Sequence, residues 1–377
     1  MAADKNRLNP NLISKFRAFV NETDYILNIY RDVGGKNKWN IICSAMDWID
    51  VSIGGIKKDK LSRQNGHEAS REMILFLSCA DVLWESIQQL HRVIFDTKDI
   101  PFDDESTIFS QKLAPTTDNK YFKIIRACFA AHPVNLSDYF LNIKEKERRH
   151  ASWSGGYFGN NDFSVILYSN EVDKSDIYLD ISFDEIMEFI TKRYEYLRIL
   201  SDEMKRQVSI HKKKQRNQPI KKSSDPLEQI DILLLEINNR PSDEYSYELE
   251  KLKLIFGTNI SNEKNARYVK QYQNIALKVI DEIYKNMQTM KFKDVSSLKE
   301  IDIKLPYNYW RSKLSDSVFR GYSPFGSNLV TNVIKEYEEE LDGIIDFANV
   351  WDNVELYVLI KVGLLMKNRP ELFVGCD

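Results

Sequence analysis

Glycine and proline are scarce in this chain, at 14 and 10 of 377 residues. These residues punctuate turns, so their scarcity argues against a loop-rich all-β fold. Cysteine is scarcer still. Cys43, Cys79, Cys128 and Cys376 lie far apart, and none belongs to a CxxC or a Cys/His cluster. That usage speaks against a disulfide framework or a structural zinc site and fits a reducing cytosol. No apolar run reaches the roughly 18 residues of a membrane-spanning helix. The nearest, 73–83, is interrupted by Asp81. The opening MAADKNRLNPNL has no apolar signal core, so a cytoplasmic protein without membrane contact is expected. GxxxxGK[ST], strand-linked GxGxxG, HExxH and GxSxG are all missing. Their absence takes most of the weight from NTPase, Rossmann, zincin and α/β-hydrolase readings. No residues show metal-ligand spacing, and no metal or cofactor is expected.

Helical periodicity is what the chain has in quantity, and the expected class is mainly α. Apolar positions from Leu12 to Ile29 follow helical spacing after Asn11, the expected N-cap, and Gly34-Gly35 ends that helix. A second helix covers 39–53, with Ile41, Ile42, Ala45, Trp48 and Ile49 on its apolar face. A third, 68–95, is apolar nearly all round through its middle and should be central. A polar stretch, 99–119, reads as a loop, and 121–131 as a further helix. Residues 150–182 then read as a small antiparallel β-hairpin insertion of up to three strands, and 183–205 returns to helix. The 217–226 segment, with two prolines, two serines and two lysines, is the best boundary. It separates a domain at 1–216 from a second helical domain at 227–377, whose longest apolar stripes run over 268–287 and 329–345.

Charge is unevenly spread. The net charge is −3, yet 225–377 holds 19 basic and 25 acidic residues, and 205–222 holds eight basic residues and no acid. That run, centred on Lys212, Lys213, Lys214 and Arg216, is either a solvated helix end and linker or a nucleic-acid contact that would release phosphate counterions.

The most informative stretch is 121–136, YFKIIRACFAAHPVNL. It sets Arg126 in an apolar helix, where an unpaired charge is costly and calls for an anionic partner. His132 follows six residues later, and imidazole suits proton transfer near neutral pH. Asp81 and Glu85 sit one turn apart on the central helix and are the carboxylates best placed to orient Arg126. Arg148, Arg149 and His150 precede the aromatic WSGGYF sequence and could hold a single strand. A second Arg-His pair, Arg206 and His211, falls in the basic run.

The Arg-x5-His spacing of Arg126 and His132, on a helix after a long buried helix and with Pro133 behind the histidine, resembles the HEPN superfamily over the N-terminal domain. That resemblance implies a helical bundle and a metal-independent ribonuclease. Attack by the 2′-hydroxyl would cleave RNA, with His132 as acid or base and Arg126 stabilising the phosphate charge. It further implies a homodimer, an inhibitory or activating protein partner, and a bacterial defence, antiviral or toxin role. Two alternatives stand beside it. One is a non-catalytic helical binding or assembly module, with Arg126 in a core ion pair. The other is nucleic-acid binding through 205–222 without catalysis.

Overall fold

The computed structural model of the protein describes residues 8–22, 24–56, 66–131, 133, 136, 147–153, 162–303, 305–322, 325 and 328–373. They form a mainly α protein with one small antiparallel sheet. Two units with separate apolar cores, Met1–Ser209 and Ile210–Asp377, divide the chain. The division falls inside one helix, α7 (Leu197–Asn217). The 217–226 segment beyond it belongs to the second unit: Ile220 is buried in that core, and its N–H donates to Gln288 Oε1 at 2.7 Å.

In the first unit, α1 (Pro10–Asn21) starts from Asn9, whose side chain accepts from the Asn11 N–H at 3.0 Å, with Pro10 leading the first turn. The cap therefore lies two residues ahead of the expected Asn11. The chain breaks before α2 (Tyr25–Tyr30), so the stripe running to Ile29 spans two helices. Gly34 and Gly35 take φ of +61° and +74° in the following turn, a conformation glycine adopts without steric cost. Next, α3 (Trp39–Gly55) and α4 (Gly66–Phe95) pack against each other. Gly55 permits the approach, because a Cβ there would collide with Cys79 Sγ. Only part of the expected α3 face is internal. Ile42, Ala45 and Ile49 are buried, whereas Ile41 and Trp48 are exposed, Trp48 by 54%. Helix α4 is central as expected, burying Met73, Leu77, Ala80, Leu83, Trp84 and Ile87.

The polar 99–119 stretch ends in α5 (Asp118–Arg126), whose first turn carries a buried polar network. Asp118 is fully buried. It accepts from the Ile108 N–H at 3.0 Å and pairs with Lys112 Nζ at 2.7 Å. Burial opposes its charge, but these donors outweigh it and hold its carboxyl below the usual range. Asn119 Oδ1 accepts two bonds from Arg193, at 3.1 and 2.8 Å. Arg193 lies on α6 (Phe183–Glu195) and is 0% exposed. It also reaches Glu105 at 3.3 Å and lies over the Phe189 ring at 3.5 Å. Burial lowers its pKa to about 10, against the pull of Glu105.

The sheet precedes α6. Strands β1 (Arg149–Trp153), β2 (Phe163–Ser169) and β3 (Ile177–Ile181) lie antiparallel in chain order. Arg149 faces Ser169, and Val165 faces Leu179. The sheet falls within the expected 150–182 region, one residue ahead at its start. Val165, Leu167, Leu179 and Ile181 join the helical core. The expected helix at 183–205 is two helices, since α6 and α7 part at Tyr196, whose hydroxyl lies 2.9 Å from His91 Nδ1.

The second unit begins with α8 (Pro226–Glu236), α9 (Asp243–Gly257) and α10 (Glu263–Thr289). After the short α11 (Leu298–Ile301) come α12 (Tyr309–Arg320), α13 (Asn328–Tyr337) and α14 (Asn353–Asn368). The 329–345 stripe is shorter as a helix: α13 stops at Tyr337 and the chain turns through Gly343 at φ +72°. Leu341 and Ile345 pack on Gly363 of α14, where any Cβ would collide with them. Among the described residues, no helix is long and apolar enough to cross a membrane.

Replacing Arg193 by Met should cost about 3–5 kcal/mol in denaturant unfolding, because Glu105 and Asn119 lose a buried partner. Glu282 provides a pH test. It accepts four bonds from Ser296 and Ser297, at 2.6–2.9 Å. Against the effect of burial, these lower its pKa to about 2. Its stabilisation is present above the unfolded value of roughly 4.3 and lost as pH falls towards 2. The stability gap between wild type and Glu282→Gln, measured by urea unfolding, should therefore shrink steadily over that window.

Candidate functional site

Helix α5 is amphipathic. Tyr121, Phe122, Ile124 and Ile125 are buried, while Lys123 and Arg126 occupy the C-terminal turn, where cations suit the helix dipole. Immediately after Arg126 the chain widens into a π-helical turn, Ala127–Ala131, which packs on α4 and buries Ala127, Cys128 and Phe129. Such turns are rare and recur at functional sites. Burial pushes the Cys128 thiol up to about 12, so this cysteine is a packing residue.

Arg126 is not in the interior that its apolar neighbours implied. Its side chain is 41% exposed, at the edge of the core. Its Nε lies 2.8 Å from Asp81 Oδ2, and the Asp81 side chain is only 12% exposed. Asp81 is the one ionic partner of Arg126 among the described residues. Among the described residues, the Arg126 guanidinium donates no hydrogen bond, and its contact with Asp81 is an ion pair. Burial raises the Asp81 pKa, Glu85 adds to that rise, and Arg126 and Lys123 oppose it. Glu85, one turn further along α4, instead accepts from Gln88 Nε2 at 3.4 Å.

Asp81 and Glu85 also line an open groove of about 630 Å³ between α3 and α4, with Asn40, Ile41, Ser44 and Trp48 opposite. The spacing of Ile41 and Trp48 marks them as apolar positions of α3, but the structure sets them at this groove and not in the core. Ile41 and Trp48 recur at helical spacing beside the buried Ile42, Ala45 and Ile49, so the helix carries more apolar positions than one buried stripe uses.

His132 lies outside the described residues. Its neighbour does not: the Pro133 carbonyl accepts from the Ala151 N–H at 2.7 Å, and the Leu136 N–H donates to the Arg149 carbonyl at 3.1 Å. The chain just beyond the motif is thus fastened to β1, the strand that carries His150.

The proposed nucleic-acid contacts separate into used and available charges. Arg149 is buried. Its guanidinium pairs with Glu147 at 2.5 Å and donates to the carbonyls of Leu167 at 3.1 Å and Ser175 at 2.7 Å. Arg148 beside it is exposed. In the basic run, Arg206 pairs with Glu203 and Lys222 with Asp281, and the Arg216 Nε donates to the Thr289 carbonyl. His211 Nε2 lies 2.9 Å from the Asn239 carbonyl oxygen, so both members of the Arg206–His211 pair have structural partners. Lys212 is half-buried, and Lys213 and Lys214 are exposed. Among the described residues, no group of three or more His, Cys, Asp or Glu side chains is placed to hold a metal ion.

No protein-family model, curated protein or solved structure matches the chain.

Because Arg126 is well exposed, Asp81→Asn should change unfolding stability by no more than about 1 kcal/mol. Chemical denaturation beside Arg193→Met checks this. A loss as large as that of Arg193→Met would make the Asp81–Arg126 pair a pillar of the core.

Proposed function

We propose that the N-terminal unit cleaves RNA without a metal ion, as the HEPN resemblance implies, with Arg126 and His132 as its catalytic residues. The observation that carries this reading is a guanidinium at the edge of the core, its side chain 41% exposed, beside the mostly buried carboxylate of Asp81. A guanidinium presented in this way offers paired donors matched to phosphate oxygens. In the reaction, the ribose 2′-oxygen attacks the adjacent phosphorus and its proton passes to His132. The bond to the 5′-oxygen breaks, and that oxygen takes up a proton as it leaves. The products are a 2′,3′-cyclic phosphate and a 5′-hydroxyl. Arg126 stabilises the charge that accumulates on the non-bridging oxygens. Ile41 and Trp48, exposed beside Asp81, supply apolar surface for the second copy of a homodimer.

The ion pair with Asp81 also favours a second reading, a helical assembly module in which the pair is structural. RNA incubated with the full chain in EDTA separates the two. The first reading expects cleavage with cyclic phosphate ends, reduced about 10²-fold or more by Arg126→Ala and by His132→Ala with both variants folded. Equal background from wild type and variants would leave the assembly module.

A further inference from the structure

The second unit contains a cavity of about 340 Å³ between α9, α12 and α14 that none of the chemistry above uses. Three cations line it: Lys251, Arg311 and Lys361. Lys361 projects from α14, its side chain 20% exposed, and its nearest carboxylate oxygen is on Asp302 at 3.9 Å, longer than a hydrogen bond. Lys251 is balanced by Glu248 at 2.8 Å and lies over the Tyr247 ring at 3.9 Å. Arg311 makes no ion pair among the described residues; it donates to the Pro306 carbonyl and to the Tyr337 hydroxyl. Asp316, also in the wall, is engaged by Lys313 at 3.7 Å and Arg320 at 3.3 Å. The wall therefore holds more positive charge than its carboxylates offset. Burial, more than the neighbouring Lys251 ammonium, lowers the Lys361 pKa, with Asp302 and Glu248 opposing.

The remaining lining is mixed, with aliphatic side chains, among them Ile303, Leu314 and Ile360, beside three tyrosines. Tyr357 forms part of the wall, and Tyr307 stands at the cavity 78% exposed, with no ring packed on it among the described residues. Cations and tyrosine rings lining one cavity suit a ligand with an anionic group and a planar ring, and the volume is that of a small-molecule site. We propose that this cavity binds a nucleoside monophosphate, its phosphate on Lys361 and Arg311 and its base against Tyr307.

Calorimetric titration of the full chain with nucleoside monophosphates, inorganic phosphate and free nucleosides tests the assignment. The monophosphates should bind more tightly than either part alone. Lys361→Met and Arg311→Gln should each weaken them about tenfold or more, the scale of a lost charge-assisted bond. Tyr307→Ala, at an exposed position that leaves the fold intact, should weaken the monophosphates and leave inorganic phosphate unchanged. Arg126→Ala should bind them as wild type does, which separates this cavity from the proposed cleavage site. The proposal is overturned if wild type binds no monophosphate, if phosphate alone binds equally well, or if Tyr307→Ala and Arg311→Gln both bind as wild type.

Discussion

The position of Arg126 depends on charges buried at the far end of its own helix. Asp118 and Asn119 form the first turn of α5 and are sequestered from solvent. Asp118 is held by backbone N–H groups of the preceding loop and by Lys112, and Asn119 by the guanidinium of Arg193. A buried arginine is tolerated only when its donors are satisfied and its charge offset. Glu105, Asn119 and the Phe189 ring meet those conditions together. The network joins the loop before α5, α5 itself and α6. With that end fixed, the C-terminal turn of α5 brings Arg126 to Asp81 on α4.

The two arginines show how burial sorts charge by role. Arg193 is spent entirely on protein groups. Arg126 keeps 41% of its side chain exposed and, among the described residues, pairs with Asp81 alone. The π-helical turn directly after Arg126 buries its own apolar residues on α4, so the chain leaves the motif along the core and not into solvent. The first sheet strand then takes hold of Pro133 and Leu136. The β insertion is therefore the element that fixes the chain beyond the motif as well as a cover for the helical core.

Helix identity was largely legible in the sequence because it rests on apolar spacing, and α4 is where that signal is strongest. Helix ends were less so. The Asn9 cap and the breaks ahead of Tyr25 and at Tyr196 depend on single hydrogen bonds and turn geometry, which leave little trace in periodicity. The setting of Arg126 was misjudged for a different reason. Apolar neighbours along a chain reveal a helix that packs, but not which of its residues stands at the edge. Arg193 was missed because an arginine in an amphipathic helix usually reads as part of the solvated face. Its partners Asn119 and Glu105 are distant in sequence, and only folding brings them together. Asp81, by contrast, could be picked out as a carboxylate on an apolar helix, and it is the residue that Arg126 meets.

The proposed cleavage of RNA requires that Arg126, held beside Asp81, meet an RNA phosphate. The most direct measurement is the nitrogen NMR spectrum of the Arg126 side chain during titration with a short 2′-O-methyl RNA, which has no free nucleophile and stays uncut. On RNA binding the guanidinium resonances of Arg126 should shift and their exchange should slow. Arg126 resonances that stay unchanged while the RNA binds elsewhere on the chain would contradict it.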